Sequence, residues 1–254
     1  MTVAQRRFED QAVLVTGAAS GIGFATVERL ATEGASIVCD DRDVDGARAA
    51  ADAATELGAE AFSLECDVGD ELAATSTVRT AVERLGRLDV LVNMAGILVC
   101  EHTDQTSLET WENVLRVNLT GTFLMCREAI PHLLETQGNI VNAASTAALS
   151  GHPWFAAYAS SKGGVLLLTR SIAVEYATRG IRANAVAPGG ITTPMTEGID
   201  LPSEGIDWNL LGRMAPIDQF RGPETVASVI AFLASDDAAH VNGEHVRCDG
   251  GTLS

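Results

Sequence analysis

Positive charge is scarce in this chain: 17 Lys and Arg stand against 34 Asp and Glu, for a formal net charge of −17. So acidic a balance argues against binding the phosphates of nucleic acid or an anionic membrane surface. Lysine is almost missing, since Lys162 is the only one and every other basic side chain is arginine. No uncharged apolar run approaches the roughly 18 residues of a membrane span. The opening MTVAQRRFEDQ has two arginines but not the apolar stretch that a secretory signal requires. The five cysteines, odd in number and never spaced CxxC, fit a reducing cytoplasmic setting better than a disulfide framework. Five scattered histidines without an HExxH or Cys/His pattern predict no metal site. Aromatic residues make up only 5%, and Tyr158 and Tyr176 are the two tyrosines.

What is abundant is alternation. Short apolar runs at Ala12 to Val15, Ser36 to Cys39, Ala59 to Glu65, Asp89 to Asn93, Asn139 to Ala143 and Arg182 to Ala187 read as strands. Segments with helical spacing separate them, among them Ile22 to Glu33, Asp45 to Leu57 and Glu71 to Leu85. Strands without period-2 alternation are what a parallel sheet covered on both faces requires. The expected fold is therefore α/β, a doubly wound three-layer α/β/α arrangement of Rossmann type with a mainly parallel sheet. No linker or composition shift divides residues 1–254, so a single domain is expected. Residues 188–223, rich in proline and glycine, break the rhythm and read as a substrate loop.

The first strand runs into Thr16-Gly17-Ala18-Ala19-Ser20-Gly21-Ile22-Gly23 and then a helix. Gly17, Gly21 and Gly23 allow a tight turn and close backbone approach, while the helix N-terminus, with Ser20 and Ile22, offers N–H groups to a pyrophosphate. The second strand ends in Cys39-Asp40-Asp41-Arg42-Asp43, where a carboxylate can accept the hydroxyls of an adenosine ribose. Asp41 is the better candidate and Asp40 the alternative. Carboxylates here, with no cation in the turn, favour NAD over NADP, although Arg42 could still reach a 2′-phosphate.

Tyr158-Ala159-Ser160-Ser161-Lys162 begins another predicted helix, which places Tyr158 and Lys162 on one face. A phenol with pKa about 10 needs roughly 4 kcal/mol of help to exchange protons near neutrality. An ammonium about 4 Å away, at an effective dielectric near 20, supplies about that much. Ser145 follows the strand Asn139 to Ala143, at an end that faces the ligand crevice of such a sheet, and could donate to a substrate oxygen.

With these motifs assembled, the chain resembles the short-chain dehydrogenase/reductase family over nearly its whole length. The likeness rests on TGAASGIG, Cys66-Asp67-Val68, Asn93-Met94-Ala95-Gly96, Val117-Asn118, Ser145, the Tyr158/Lys162 pair and Pro188-Gly189-Gly190-Ile191-Thr192-Thr193-Pro194-Met195, in order. Cys248-Asp249-Gly250-Gly251 is similar to the family's last strand and turn. The resemblance implies that Tyr158 is the general acid/base, Ser145 orients the reacting oxygen, and Lys162 lowers the tyrosine pKa and binds the nicotinamide ribose. It further implies that Asn118 holds a water in a proton relay, Asp67 and Val68 bind adenine, and Asn93 and Gly96 line the cofactor cleft. Pro188, Gly189, Ile191 and Thr193 would meet the carboxamide end. Met94 departs from the family's usual asparagine and implies altered packing near the ribose.

The expected activity is NAD-dependent interconversion of a secondary alcohol and a ketone, with small-molecule partners only. Met195, Ile199, Leu201, Trp208, Leu210, Leu211, Met214, Leu149, Trp154 and Phe155 predict a mostly apolar substrate pocket. An NADPH-dependent 3-oxoacyl reductase and a non-catalytic dinucleotide-sensing regulator are the alternatives. The family likeness also implies a homotetramer or homodimer, with the helices before Glu135 and from Ala156 to Arg179 as contact surfaces.

Overall fold

The computed structural model describes residues 6–217 and 219–254; the first five residues, read above for a targeting signal, and position 218 in the substrate segment lie outside them. The chain runs β1 (Ala12–Thr16), α1 (Gly21–Thr32), β2 (Ser36–Asp41), α2 (Val44–Glu56), β3 (Ala61–Glu65), α3 (Glu71–Leu85) and β4 (Val90–Asn93). It continues through α4 (Leu108–Leu115), α5 (Thr122–Thr136), β5 (Asn139–Ala143), α6 (Ala156–Tyr176) and β6 (Arg182–Pro188). It closes with α7 (Pro194–Glu197), α8 (Trp208–Gly212), α9 (Glu224–Ala234) and β7 (His245–Cys248). Asp43, Asp70 and Ser107 cap α2, α3 and α4, each accepting a first-turn N–H.

All neighbouring strands pair in parallel, in the order β3-β2-β1-β4-β5-β6-β7. The expected doubly wound sheet is present, and both faces are covered. Val13, Val15 and Ile37 point into one apolar layer with Val27 and Leu30 of α1, Ala50 of α2 and Ile230 of α9. Leu14, Leu91 and Ile140 point into the other, with Val78 of α3, Met125 and Leu133 of α5 and Ile172 of α6. Winding outward from β1 in both directions leaves a crevice at the carboxyl ends of β1 and β4, where such sheets bind ligands.

Two stretches differ from the sequence reading. The 188–223 segment is not wholly irregular, because Thr193 and Thr196 form a reciprocal cap that starts α7, and Asp207 caps α8. The helical stretch expected before Glu135 is interrupted at Asn118 by a π-helical turn, Arg116–Gly121, between α4 and α5. Gly164 of α6 packs onto that turn, where a Cβ would stand 2.7 Å from Leu119 Cδ2. Gly163 beside it has nothing within 4 Å of a Cβ.

A buried polar chain ties the centre of the sheet to α6. Asn93 Nδ2 donates to Asn142 Oδ1 at 2.8 Å, Asn142 Nδ2 donates to Thr169 Oγ1 at 2.9 Å, and Thr169 Oγ1 donates to the Val165 carbonyl at 2.7 Å. Replacing the middle member, Asn142→Leu, leaves the Asn93 amide without its asparagine acceptor and Thr169 without its donor. The expected loss is about 1–3 kcal/mol, read as a lower urea midpoint with an unchanged slope.

Candidate functional site

The carboxyl ends of the central strands enclose a cleft of about 370 Å³, within the size range of small-molecule sites. Its near end is the turn between β1 and α1. Gly17 has φ +67°, and a Cβ there would meet the Ala95 nitrogen at 2.6 Å; at Gly23 it would meet the Gly17 carbonyl at 2.0 Å. These glycines let two backbone segments touch and leave a cradle that side chains would fill. Ser20, exposed, stands at the N-cap of α1 without a side-chain capping bond. By helix geometry the first N–H groups of α1 lack intrahelical partners and face this end of the cleft. Such a cradle, with its positive dipole end, fits the pyrophosphate of a dinucleotide.

The strand register separates the two acids at the end of β2. Asp41 accepts from the Ala19 N–H at 3.1 Å and the Asp43 N–H at 3.0 Å, which fixes its carboxylate beside the glycine turn. Asp40, on the opposite side of the strand, has no exposed surface, and burial followed by the neighbouring Asp41 charge pushes its pKa well above the usual carboxylate range. Of the two acids, Asp41 is thus the one whose carboxylate is held beside the glycine turn. Asp67 accepts from Arg116 Nη1 at 2.9 Å and from the Gly69 N–H at 2.9 Å, and lines the cleft with buried Val68.

At the far end, Ser145 begins a 3-10 turn and accepts from the Ala147 N–H at 3.1 Å. Tyr158 lies in the first turn of α6, and Lys162 follows one turn later on the same face. Lys162 is 4% exposed, and its Nζ donates to the Ala143 carbonyl at 2.7 Å and stands 5.8 Å from the Tyr158 ring centroid. Burial brings its pKa down to about 8. Burial also pushes Tyr158 up, against the pull of a hydrogen bond with Ser145. The expected lowering of the phenol is therefore not produced by the protein groups alone: desolvation dominates, and the ammonium is directed to Ala143.

Most of the residues expected to build the site meet in this one cleft: Gly17, Ser20, Gly21, Ile22, Gly23, Asp41, Asp67, Val68, Gly96, Ser145, Tyr158, Lys162, Pro188, Gly189, Ile191 and Thr193 all line it. Asn93 does not, because its side chain is buried and donates to Asn142 and to Cys126 Sγ at 3.3 Å. Asn118 stands behind the wall. Its Nδ2 donates to the Ile97 carbonyl at 2.9 Å and to Ser161 Oγ at 3.0 Å, and its Oδ1 accepts the Ile97 N–H at 2.8 Å. Both of its amide hydrogens are spent on the scaffold, so a water-holding role would fall to its main-chain carbonyl, which already accepts from Thr122 Oγ1 at 2.7 Å.

The apolar pocket read from the sequence is only partly assembled. Met195 lines the cleft and Phe155 stands edge-on to Tyr158 with centroids 6.1 Å apart, but Trp208 is 69% exposed. Met94 lines the cleft, at the place where changed packing is expected. The sequence reading missed Ala143 and Ser161. Ala143 acts through a carbonyl, which no residue type advertises; Ser161 lies inside the Tyr-to-Lys motif, the one signal that could have pointed to it.

Residues 17–252 match the family model described as "Enoyl-(Acyl carrier protein) reductase". A 3beta-hydroxysteroid dehydrogenase 1 from Eggerthella lenta is 40% identical over 242 residues, 94% of this chain and 92% of that protein. A meso-2,3-butanediol dehydrogenase from Serratia marcescens is 39% identical over 98% of this chain and 96% of its own length. The crystal structure of a short chain dehydrogenase from Mycobacterium paratuberculosis bound to NAD superposes with a TM-score of 0.87 at 26% identity, covering 97% of this chain and 98% of that one. The order of motifs, the seven-stranded parallel sheet and these likenesses agree that the chain belongs to the short-chain dehydrogenase/reductase family.

Proposed function

We propose that this protein is an NAD-dependent oxidoreductase that interconverts a secondary alcohol and a ketone as a single catalytic unit spanning residues 1–254. The observation that carries the proposal is the convergence of Ser145, Tyr158 and Lys162 at one end of a cleft whose other end holds Asp41 beside a glycine cradle. Relatives that oxidise butanediol or hydroxysteroid, by their names, support a carbinol substrate.

The residues divide the work. The bound nicotinamide supplies the hydride acceptor, or in reverse the donor, and a positive charge when oxidised. Ser145 donates to the substrate oxygen and holds its carbinol carbon in place. Tyr158, as phenolate, takes the hydroxyl proton as the carbon–hydrogen bond gives up its hydride; in reduction the phenol returns that proton to the carbonyl oxygen. Lys162, tied to Ala143, keeps a cation in the buried end of the cleft and a donor for the nicotinamide ribose. Asn118 holds the segment beyond β4 at Ile97, which borders this pocket, and its carbonyl is the place for a relay water. Gly96, Pro188, Gly189, Ile191 and Thr193 shape the nicotinamide end, and Asp67 and Val68 the adenine end. Met195 and Phe155 favour an apolar substrate body.

Asp41 supports NAD over NADP, because its carboxylate would repel a 2′-phosphate. The complete Ser/Tyr/Lys set supports turnover over a purely sensing role. The five free cysteines support a cytoplasmic location. Phe123 on α5 and Leu167 and Val174 on α6 are 44%, 63% and 80% exposed, which supports these helices as contacts in a homodimer or homotetramer.

Tyr158→Phe is expected to lower kcat by about 10²–10⁴ while ADP-ribose, measured by calorimetry, binds as before. Asp41→Ser is expected to reduce the ratio of kcat/KM with NAD to that with NADP by about tenfold or more, in assays on a panel of secondary alcohols. The double substitution Leu167→Glu with Val174→Glu is expected to lower the oligomeric state seen in sedimentation.

A further inference from the structure

Three loops leave the carboxyl ends of the adjacent strands β4, β5 and β6, and they meet at His102. On the loop after β4, the His102 carbonyl accepts the Gln105 and Thr106 N–H groups at 2.9 and 3.0 Å and Thr106 Oγ1 at 3.0 Å, which pins the main chain. On the loop after β5, Trp154 stands edge-on to the His102 ring with centroids 6.4 Å apart, and its carbonyl accepts the Glu101 N–H at 2.9 Å. Trp154 has φ +65°, a left-handed backbone that a bulky residue keeps only where its neighbours enforce it. The next residue is Phe155, whose ring meets Tyr158.

The third loop, after β6, lines the cleft with Pro194, Met195 and Thr196 and then runs through residues 199–206 to α8. His102 Nε2 stands 2.9 Å from the Glu204 carbonyl; a carbonyl only accepts, so Nε2 carries the proton and donates. Gly205 follows at φ +75°, where a Cβ would stand 3.0 Å from the imidazole, so glycine lets this backbone lie against the ring. Among the described residues, the bond to His102 is the single hydrogen bond made by residues 199–206. The threonine cap of α7 and the Asp207 cap of α8 fasten either side, while the span between them hangs on one imidazole.

We propose that His102 is a latch: it holds residues 199–206 closed on the substrate and, through Trp154 and Phe155, joins that segment to Tyr158. It is a positioning residue, and its role rests on the alcohol-dehydrogenase reading. Substrate enters with the segment open and the segment then closes on it, so a weaker closed state weakens overall substrate binding by the same factor. The glycine turn and Asp41 lie on other loops, and dinucleotide binding is left alone.

The test uses His102→Phe, which keeps a ring beside Trp154 but has no donor, and His102→Gln, which keeps a donor. At saturating NAD, with an alcohol that wild type oxidises, His102→Phe should raise KM about three- to tenfold, the worth of one hydrogen bond, with kcat within about twofold. Its affinity for ADP-ribose by calorimetry should match wild type, which also shows that the variant folds. His102→Gln should bring KM back to within about twofold of wild type. Gly205→Ala, acting from the other side of the contact, should resemble His102→Phe. A KM for His102→Phe equal to that of wild type, or one that His102→Gln shares, overturns the latch.

Digestion by a glutamate-specific protease, with cleavage after Glu204 followed by mass spectrometry, reads the latch without turnover. Cleavage should be faster in His102→Phe than in wild type, and equal rates overturn the proposal. If wild type oxidises no secondary alcohol, the dehydrogenase reading fails and the digest by itself decides whether His102 holds the segment.

Discussion

The hydrogen bond from Lys162 to the Ala143 carbonyl, 2.7 Å long and almost sealed from water, is the constraint on which the site depends. It spans two elements, since Ala143 ends β5 and Lys162 belongs to α6, so the helix cannot slide along the sheet without breaking it. Tyr158 rides on the same helix face and Ser145 stands two residues beyond Ala143. The spacing of Tyr158 from Ser145 is thus set by one anchor. The anchor also explains why the phenol is not already acidic: the cation is directed to a carbonyl, and the low-polarity surroundings that hold it there raise the tyrosine as well.

At the opposite end, shape comes before charge. The Gly17 turn touches Ala95 across the switch between β1 and β4, and α1 starts where that contact leaves room. Acids then specialise by direction of exit from a single strand. Asp41 is held open by backbone amides, and Asp40 is closed in the sheet. Between the two ends run the central strands, whose Asn93 and Asn142 side chains, with Thr169 of α6, add a polar rivet to apolar packing.

Much of this was legible in the chain. Apolar strands without alternation announced a sheet covered on both faces, and the glycine turn and the tyrosine-to-lysine spacing located both ends of the cleft. Asn93 was misplaced because an asparagine at a strand end carries the same letter whether it turns toward a ligand or toward Asn142. Asn118 was placed near the site, but its side chain serves Ile97 and Ser161. Ala143 was invisible, since its contribution is a main-chain oxygen. Trp208 and its neighbours were read as pocket because hydrophobicity reports a need for cover without saying what provides it.

The π-helical turn at Arg116–Gly121 carries a consequence for length. A wide turn of this kind is an α-helix that has absorbed a surplus residue. Excising one residue there would restore even winding and leave the flanking helices nearly in register, but the residues within the turn would shift by about 100°. Leu119 would swing off Gly164, and the amide that clamps Ile97 would face elsewhere. The chain through this stretch is therefore bound to its residue count more tightly than to most of its residue identities, and tolerated variation here should take the form of exchanges, with deletions excluded.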